Sequence, residues 1–171
     1  MKYFRFSVMF VIVLALFAGV AEAQKKRTPT KKPPATVVPP LEVRAGREKV
    51  DIQLANVNRF IDVLGPIAQG IEALDESARE KPLSKAANDQ NEANKKKVIA
   101  AIRNLRDGLA NLESEFRTKT ALQKYLPTIQ GITDLAARAE DSAIAGKFVA
   151  AKEPLRGVSK KLTDTLAAMP L

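Results

Sequence analysis

The chain has 171 residues, 46% of them apolar and 27% charged, with a formal net charge of +9 and no cysteine, histidine or tryptophan. That length fits one ordinary domain with appendages. The missing residue types exclude disulfides, a thiolate nucleophile, a zinc–thiolate site, a lipid-modified cysteine after a leader, and any imidazole base or metal ligand.

The charge is unevenly placed. Between Gln24 and Lys49 there are eight basic residues against Glu42 and Glu48, whereas from Val50 onward 18 basic residues face 16 acidic ones. The basicity therefore belongs to the segment ahead of the foldable part.

Residues 1–23 carry the three parts of a secretory signal: Lys2 and Arg5, an uncharged aliphatic run from Val8 to Ala21, and the small-x-small site Ala21-Glu22-Ala23. Fourteen residues of helix span only about 21 Å, short of the roughly 30 Å bilayer core. Cleavage after Ala23 and a periplasmic or secreted location are expected. The alternative is a retained membrane anchor over residues 6–22, which Lys25, Lys26 and Arg27 favour because positive charge opposes translocation of the chain downstream of it.

Residues 24–45 read as a Pro/Lys-rich disordered linker. Pro29, Pro33, Pro34, Pro39 and Pro40 fix φ and remove backbone donors, and no hydrophobic period is present. Lys25, Lys26, Arg27, Lys31 and Lys32 are the candidate contacts to an anionic cell-envelope polymer or lipid. The other reading of these charges is a solvated spacer. No aromatic residue interrupts them, so base stacking is unavailable and nucleic acid is a disfavoured partner.

Residues 46–171 form the expected helical bundle. Val50, Leu54, Val57, Ile61, Leu64, Ala68 and Ile71 recur at gaps of four and three, with Phe60, Ile67 and Leu74 widening the same face. This predicts a helix from Gly46 to Glu80, kinked or broken at Gly65-Pro66. Lys81 to Gln90 reads as a loop. Val98, Ile102, Leu105, Leu109, Leu112 and Phe116 then define a second helix from Asn91 to Lys119, with the pairs Glu92–Lys96 and Glu113–Arg117 on its surface. Its strict seam could face its own bundle or a second chain.

A third helix carries Leu122, Leu126, Ile129, Ile132, Leu135 or Ala136, Ala139 and Ala143 and stops at Gly146. A fourth runs through Phe148, Ala151, Leu155, Val158, Leu162, Thr165 or Leu166, and Met169, with Pro154 and Gly157 weakening its opening. The segment Pro66–Ala78 aligns without gaps on Pro127–Ala139, matching at six of thirteen positions. Two explanations stand open: tandem duplication of a helical hairpin, or chance likeness between Ala- and Leu-rich helices. The resulting fold class is all-α, an up-down-up-down four-helix bundle preceded by the arm. Nine aromatics in the whole chain leave an aliphatic interior.

Chemical motifs are few. Gly65 to Gly70 has the glycine gap of a phosphate loop, but Ile71-Glu72 replaces the required Lys-Ser/Thr. No serine has a lysine three residues on. Glu72, Asp75, Glu76 and Glu80 cluster on adjoining turns and read as a solvated acidic face; Asn88 to Glu92 lacks the spacing and glycine of a calcium loop. No carboxylate falls within the apolar stripes of the second to fourth helices, and Asp51, Asp62 and Asp75 flank the first and are expected to face water. Catalytic, metal and cofactor residues are therefore expected to be none, and the chain is not expected to be an enzyme.

The turn Ala143-Ile-Ala-Gly-Lys-Phe-Val-Ala-Ala151, leading into a last helix with Leu155 and Leu162, resembles the small periplasmic four-helix-bundle cytochromes. That resemblance implies the bundle fold and haem held by a methionine and a histidine. The haem ligands are missing here: there is no histidine, and Met169 is the only methionine after the leader.

The expected role is an exported, non-enzymatic interaction or structural module of a bacterial cell envelope, with a protein partner or a homo-oligomer as further possibilities. Two alternatives accompany it: a polyanion-binding protein with an uncleaved anchor, and a carrier of an apolar ligand within the bundle.

Overall fold

The computed structural model describes residues 39–171. The leader, and the arm with Lys25, Lys26, Arg27, Lys31 and Lys32, lie outside the described residues. Within them the chain is all-helical, without a strand.

Helix α1 spans Leu41–Glu80, starting five residues before the expected Gly46. Pro40 is extended (φ −50°, ψ 143°), and its carbonyl accepts from the N–H groups of Val43 and Arg44 at 2.9 and 3.1 Å. A proline cannot donate, but its carbonyl can still open a helix. Tertiary packing then holds the added turn, since Val43 is buried and Gly46 lies under Leu122. The arm is therefore shorter than residues 24–45 suggested, and residues 41–45 belong to the helix.

Pro66 does not break α1. It lies on the exposed side, as does Asp62, whose carbonyl loses its helical donor. Water can satisfy that carbonyl, so the helix passes through. Ile67 and Leu74, expected to widen the core face, stand 40% and 36% exposed.

The loop is only four residues long. Helix α2 spans Lys85–Thr118, and Ser84 caps it by accepting from Ala87 N–H at 3.2 Å. Asn88 and Asp89, expected in a loop, are helical. The whole expected seam of α2 points inward, with Ile102, Leu109 and Phe116 fully buried. It is consumed by its own chain and offers no face to a second one.

The third helix is not continuous. It divides into α3 (Thr120–Gln123), α4 (Leu126–Ile129) and α5 (Ile132–Ile144). Gly131 interrupts it with φ +88°, a left-handed conformation that side chains disfavour. Pro127 falls in the first turn of α4, where its missing N–H costs little.

Gly146 ends α5 as expected. It has φ +76°, and the bonds Gly146 N–H to Ala143 and Lys147 N–H to Ser142 close a Schellman turn. Helix α6 spans Lys152–Ala168, with Phe148 and Ala151 buried in the turns before it and Pro154 inside its first turn.

Helix α1 packs on α2 and α6, and α5 packs on the same two. Two apolar clusters fill the space between them. One gathers Val50, Val57, Leu109, Phe116, Ile132 and Leu162; the other gathers Leu64, Ile71, Ile102, Ala139, Phe148 and Leu155. Each large aliphatic side chain so buried contributes about 1.5–3 kcal/mol.

Candidate functional site

The charged groups most removed from water are the natural candidates for chemistry, and here they are two glutamates absent from the expected site residues. Glu113 and Glu140 are 7% and 4% exposed. Both sit beside apolar stripes, on flanks that read as solvated in a single helix and become covered when α2 and α5 meet.

Glu113 reaches from α2 to the break before α5. Its Oε1 accepts from Gly131 N–H at 3.0 Å and from Arg117 at 3.1 Å. Its Oε2 accepts from Thr133 N–H at 3.1 Å and from the Thr133 hydroxyl at 2.8 Å. A carboxylate from one helix thus caps the N-terminus of another, where unpaired N–H groups and the helix dipole favour negative charge. Burial alone would push this carboxyl up. The Gly131 and Thr133 donors together with Arg117 outweigh it and hold the group below its ordinary value.

Glu140 accepts from Arg103 Nε at 2.8 Å through Oε1 and from Arg106 through Oε2. A buried carboxylate held between two arginines compensates its own desolvation.

Glu113 is not arranged as a catalytic base. A base needs a free lone pair and an affinity for protons near neutrality. Both Glu113 oxygens are already engaged, and its proton affinity is lowered. An open depression of about 730 Å³ adjoins Glu113, with Ser114, Gln130 and Asp134 on its walls. The Glu113 carboxylate in its wall is committed to the α5 cap.

Three of the four carboxylates in the acidic cluster on α1 are likewise engaged, while Glu80 is exposed. Glu72 accepts from Val149 N–H at 2.8 Å, tying α1 to the turn before α6. Asp75 pairs with Lys95 at 2.7 Å and accepts from the buried Asn91 amide at 2.8 Å, while Glu76 pairs with Arg79. Lys95 also takes Glu92 at 2.8 Å, in place of the expected Glu92–Lys96 pair. Partial burial pulls the Lys95 ammonium down, and Asp75 and Glu92 more than offset this, raising it above its usual value. Asp51 and Asp62 face water as expected, whereas Asp75 is partly covered. The Gly65–Gly70 segment lies wholly within α1.

Sequence signals for the buried pair were faint. Glu113 and Arg117 share (i, i+4) spacing and meet as expected, but nothing local announces the three donors arriving from residues 131 and 133. Among the described residues no helix is long and apolar enough to cross a membrane. No protein-family model matches the chain, and no curated protein or solved structure matches it.

Proposed function

We propose that this chain is an exported helical-bundle protein of a bacterial cell envelope, acting as a non-enzymatic interaction or structural module whose basic arm contacts an anionic polymer or lipid. The observation that carries this reading is the charge division. Between Gln24 and Pro40 there are five basic residues and no acidic or aromatic one, while the part after Val50 is nearly neutral. The engagement of Glu113 and Glu140 in capping and ion pairing supports a structural role for the buried carboxylates.

We read the fold as an up-down-up-down bundle whose third member is interrupted, a fold-level likeness to four-helix-bundle cytochromes without their haem ligands. Cross-helix pairs support antiparallel neighbours: Lys49 with Glu115 and Asp75 with Lys95 for α1 and α2, Arg47 with the Leu166 carbonyl and Glu72 with Val149 for α1 and α6.

N-terminal mass analysis of the native protein, with its cell fraction, tests export. Gln24 as the first residue in periplasm or medium is expected, and an intact Met1 in the membrane fraction would overturn it. Retention on anionic vesicles or cell-wall material should fall as salt rises and vanish when residues 24–38 are deleted. Unchanged retention after that deletion would remove the arm's role. The deletion stops short of Leu41, so α1 stays whole.

A further inference from the structure

Helix α1 carries a second apolar strip that its own bundle leaves open. Ile52, Val63, Ile67 and Leu74 are 51%, 53%, 40% and 36% exposed. At about 100° per residue they fall within an arc of about 60°, together with the exposed Asn56 and Gly70. No charged residue enters that arc between Ile52 and Leu74, over a length of about 33 Å. In a chain with 27% charged residues, so long a charge-free exposed strip is a candidate interface.

We propose that this strip is the contact between two copies of the chain, paired antiparallel about a two-fold axis at Val63. The strip is complementary to itself in that arrangement, whereas a parallel pair would set Asn56 against Asn56 and leave the space at Gly70 facing Gly70. Ile52 and Leu74 lie eleven residues either side of Val63, so each meets the other. Asn56 and Gly70 lie seven residues either side, so the larger side chain meets the residue with none. A Cβ built on Gly70 finds nothing within 4 Å, which leaves the space that Asn56 of the other copy would occupy. Arg59 falls opposite Ile67, where its aliphatic stem covers the isoleucine and its charged end reaches water.

Charge selects the same orientation. Five basic residues and no acidic one precede α1 between Gln24 and Pro40. Parallel pairing would bring the starts of both α1 helices, and so these two segments, to one end, whereas antiparallel pairing enters them at opposite ends. The lack of cations along the strip argues against an anionic surface as its occupant. The pairing does not depend on what the arm binds.

A contact made mainly by one helix from each copy sits at the small end of stable interfaces, which begin near roughly 1,200 Å² of total buried surface. A weak dimer is expected, populated between about 10 μM and 1 mM. Sedimentation equilibrium of the exported protein should show it, and Val63→Glu should weaken it by at least about tenfold because a charge would be buried on the axis. Circular dichroism of that variant should be unchanged, since Val63 contributes little to the chain's own core.

The absence of native cysteine allows a sharper test. With diamide as oxidant, Val63→Cys should form an intermolecular disulfide at least about tenfold faster than the exposed control Asp141→Cys, because only an axial position brings two Cβ atoms within bonding range. Ile52→Cys should cross-link to Leu74→Cys in a mixture but not to itself. A monomer up to about 1 mM, a dimer indifferent to Val63→Glu, or self-linked Ile52→Cys would each overturn the proposal. So would vesicle binding by a monomer that Val63→Glu abolishes, since the strip would then face lipid.

Discussion

Residues 66–78 and 127–139 share Pro, Gln, Gly, Ile, Leu and Ala at matched positions, yet the chain treats them differently. The first runs as unbroken helix through Pro66 and Gly70; the second opens a short helix at Pro127 and turns left-handed at Gly131. Pro66 follows 25 residues of established helix, where propagation is cheap and one lost hydrogen bond on the wet side can be tolerated. Pro127 follows only the four-residue α3 and a turn. The deciding contact is remote: Glu113 offers its carboxylate to the N–H groups of residues 131 and 133, and the first segment carries Glu72 where the second carries Thr133. Leu135 then packs toward Gly157, whereas its counterpart Leu74 stands exposed. Similar local sequence permits both outcomes, and the neighbouring helix chooses.

The largest effect should come from removing that neighbour's contribution. Glu113→Ala strands two partly buried backbone donors and should cost about 3 kcal/mol in urea unfolding. Hydrogen exchange should rise first at residues 131–135, with residues 70–74 unaffected. Uniform loss of protection in both segments would mean that Glu113 does not set the difference.

Next come the prolines. Pro66→Ala restores a helical hydrogen bond and should stabilise the protein by about 2 kcal/mol, whereas Pro127→Ala, in the first turn of a helix, should change it by less than about 0.5 kcal/mol. Equal effects would erase the contrast.

The two glycines should give opposite signs. Gly131→Ala forces a side chain into the left-handed region and should cost about 1–2 kcal/mol. Gly70→Ala, in a continuous helix with open space around it, should gain about 0.8 kcal/mol. Thermal unfolding of both variants reads the signs directly.

The pH dependence is the subtlest. Glu113 is held below its usual 4.5 in the folded chain. Its contribution is therefore complete above the unfolded value and is lost as pH falls through the lowered folded value. Unfolding at pH 3 and pH 6 should show this acid loss in the native protein and a smaller one in Glu113→Gln.

Much of the architecture was legible in the chain. The four-three seams located all the long helices, and the seam from Val98 to Phe116 was legible residue by residue, because burying one stripe of an amphipathic helix leaves a strong periodic trace. Gly146 was legible too, since few residues tolerate positive φ. Helix ends were less so. Ser84, Asn88 and Asp89 all suit loops by propensity, yet Ser84 caps α2 and the other two are helical, and the start at Leu41 depends on the burial of Val43 and on Gly46 lying under Leu122. The buried carboxylates were not legible, because Glu113 and Glu140 have the local surroundings of surface residues and acquire their partners from other helices. The overwide first stripe misled for the same reason: Ile67 and Leu74 extend a helical face that the bundle then does not cover.

The sequence by itself determined that this protein is helical, that its interior is aliphatic, that its charge is concentrated ahead of the bundle, and that imidazole and thiol chemistry are closed to it. These come from composition and period, which no tertiary contact can change. Tertiary structure alone decided where the third helix breaks, which glutamates leave water, and which apolar strip of α1 stays outside. Each of those depends on what a second helix brings within about 3–4 Å of the first, and hydrogen bonds and close packing act only at that range.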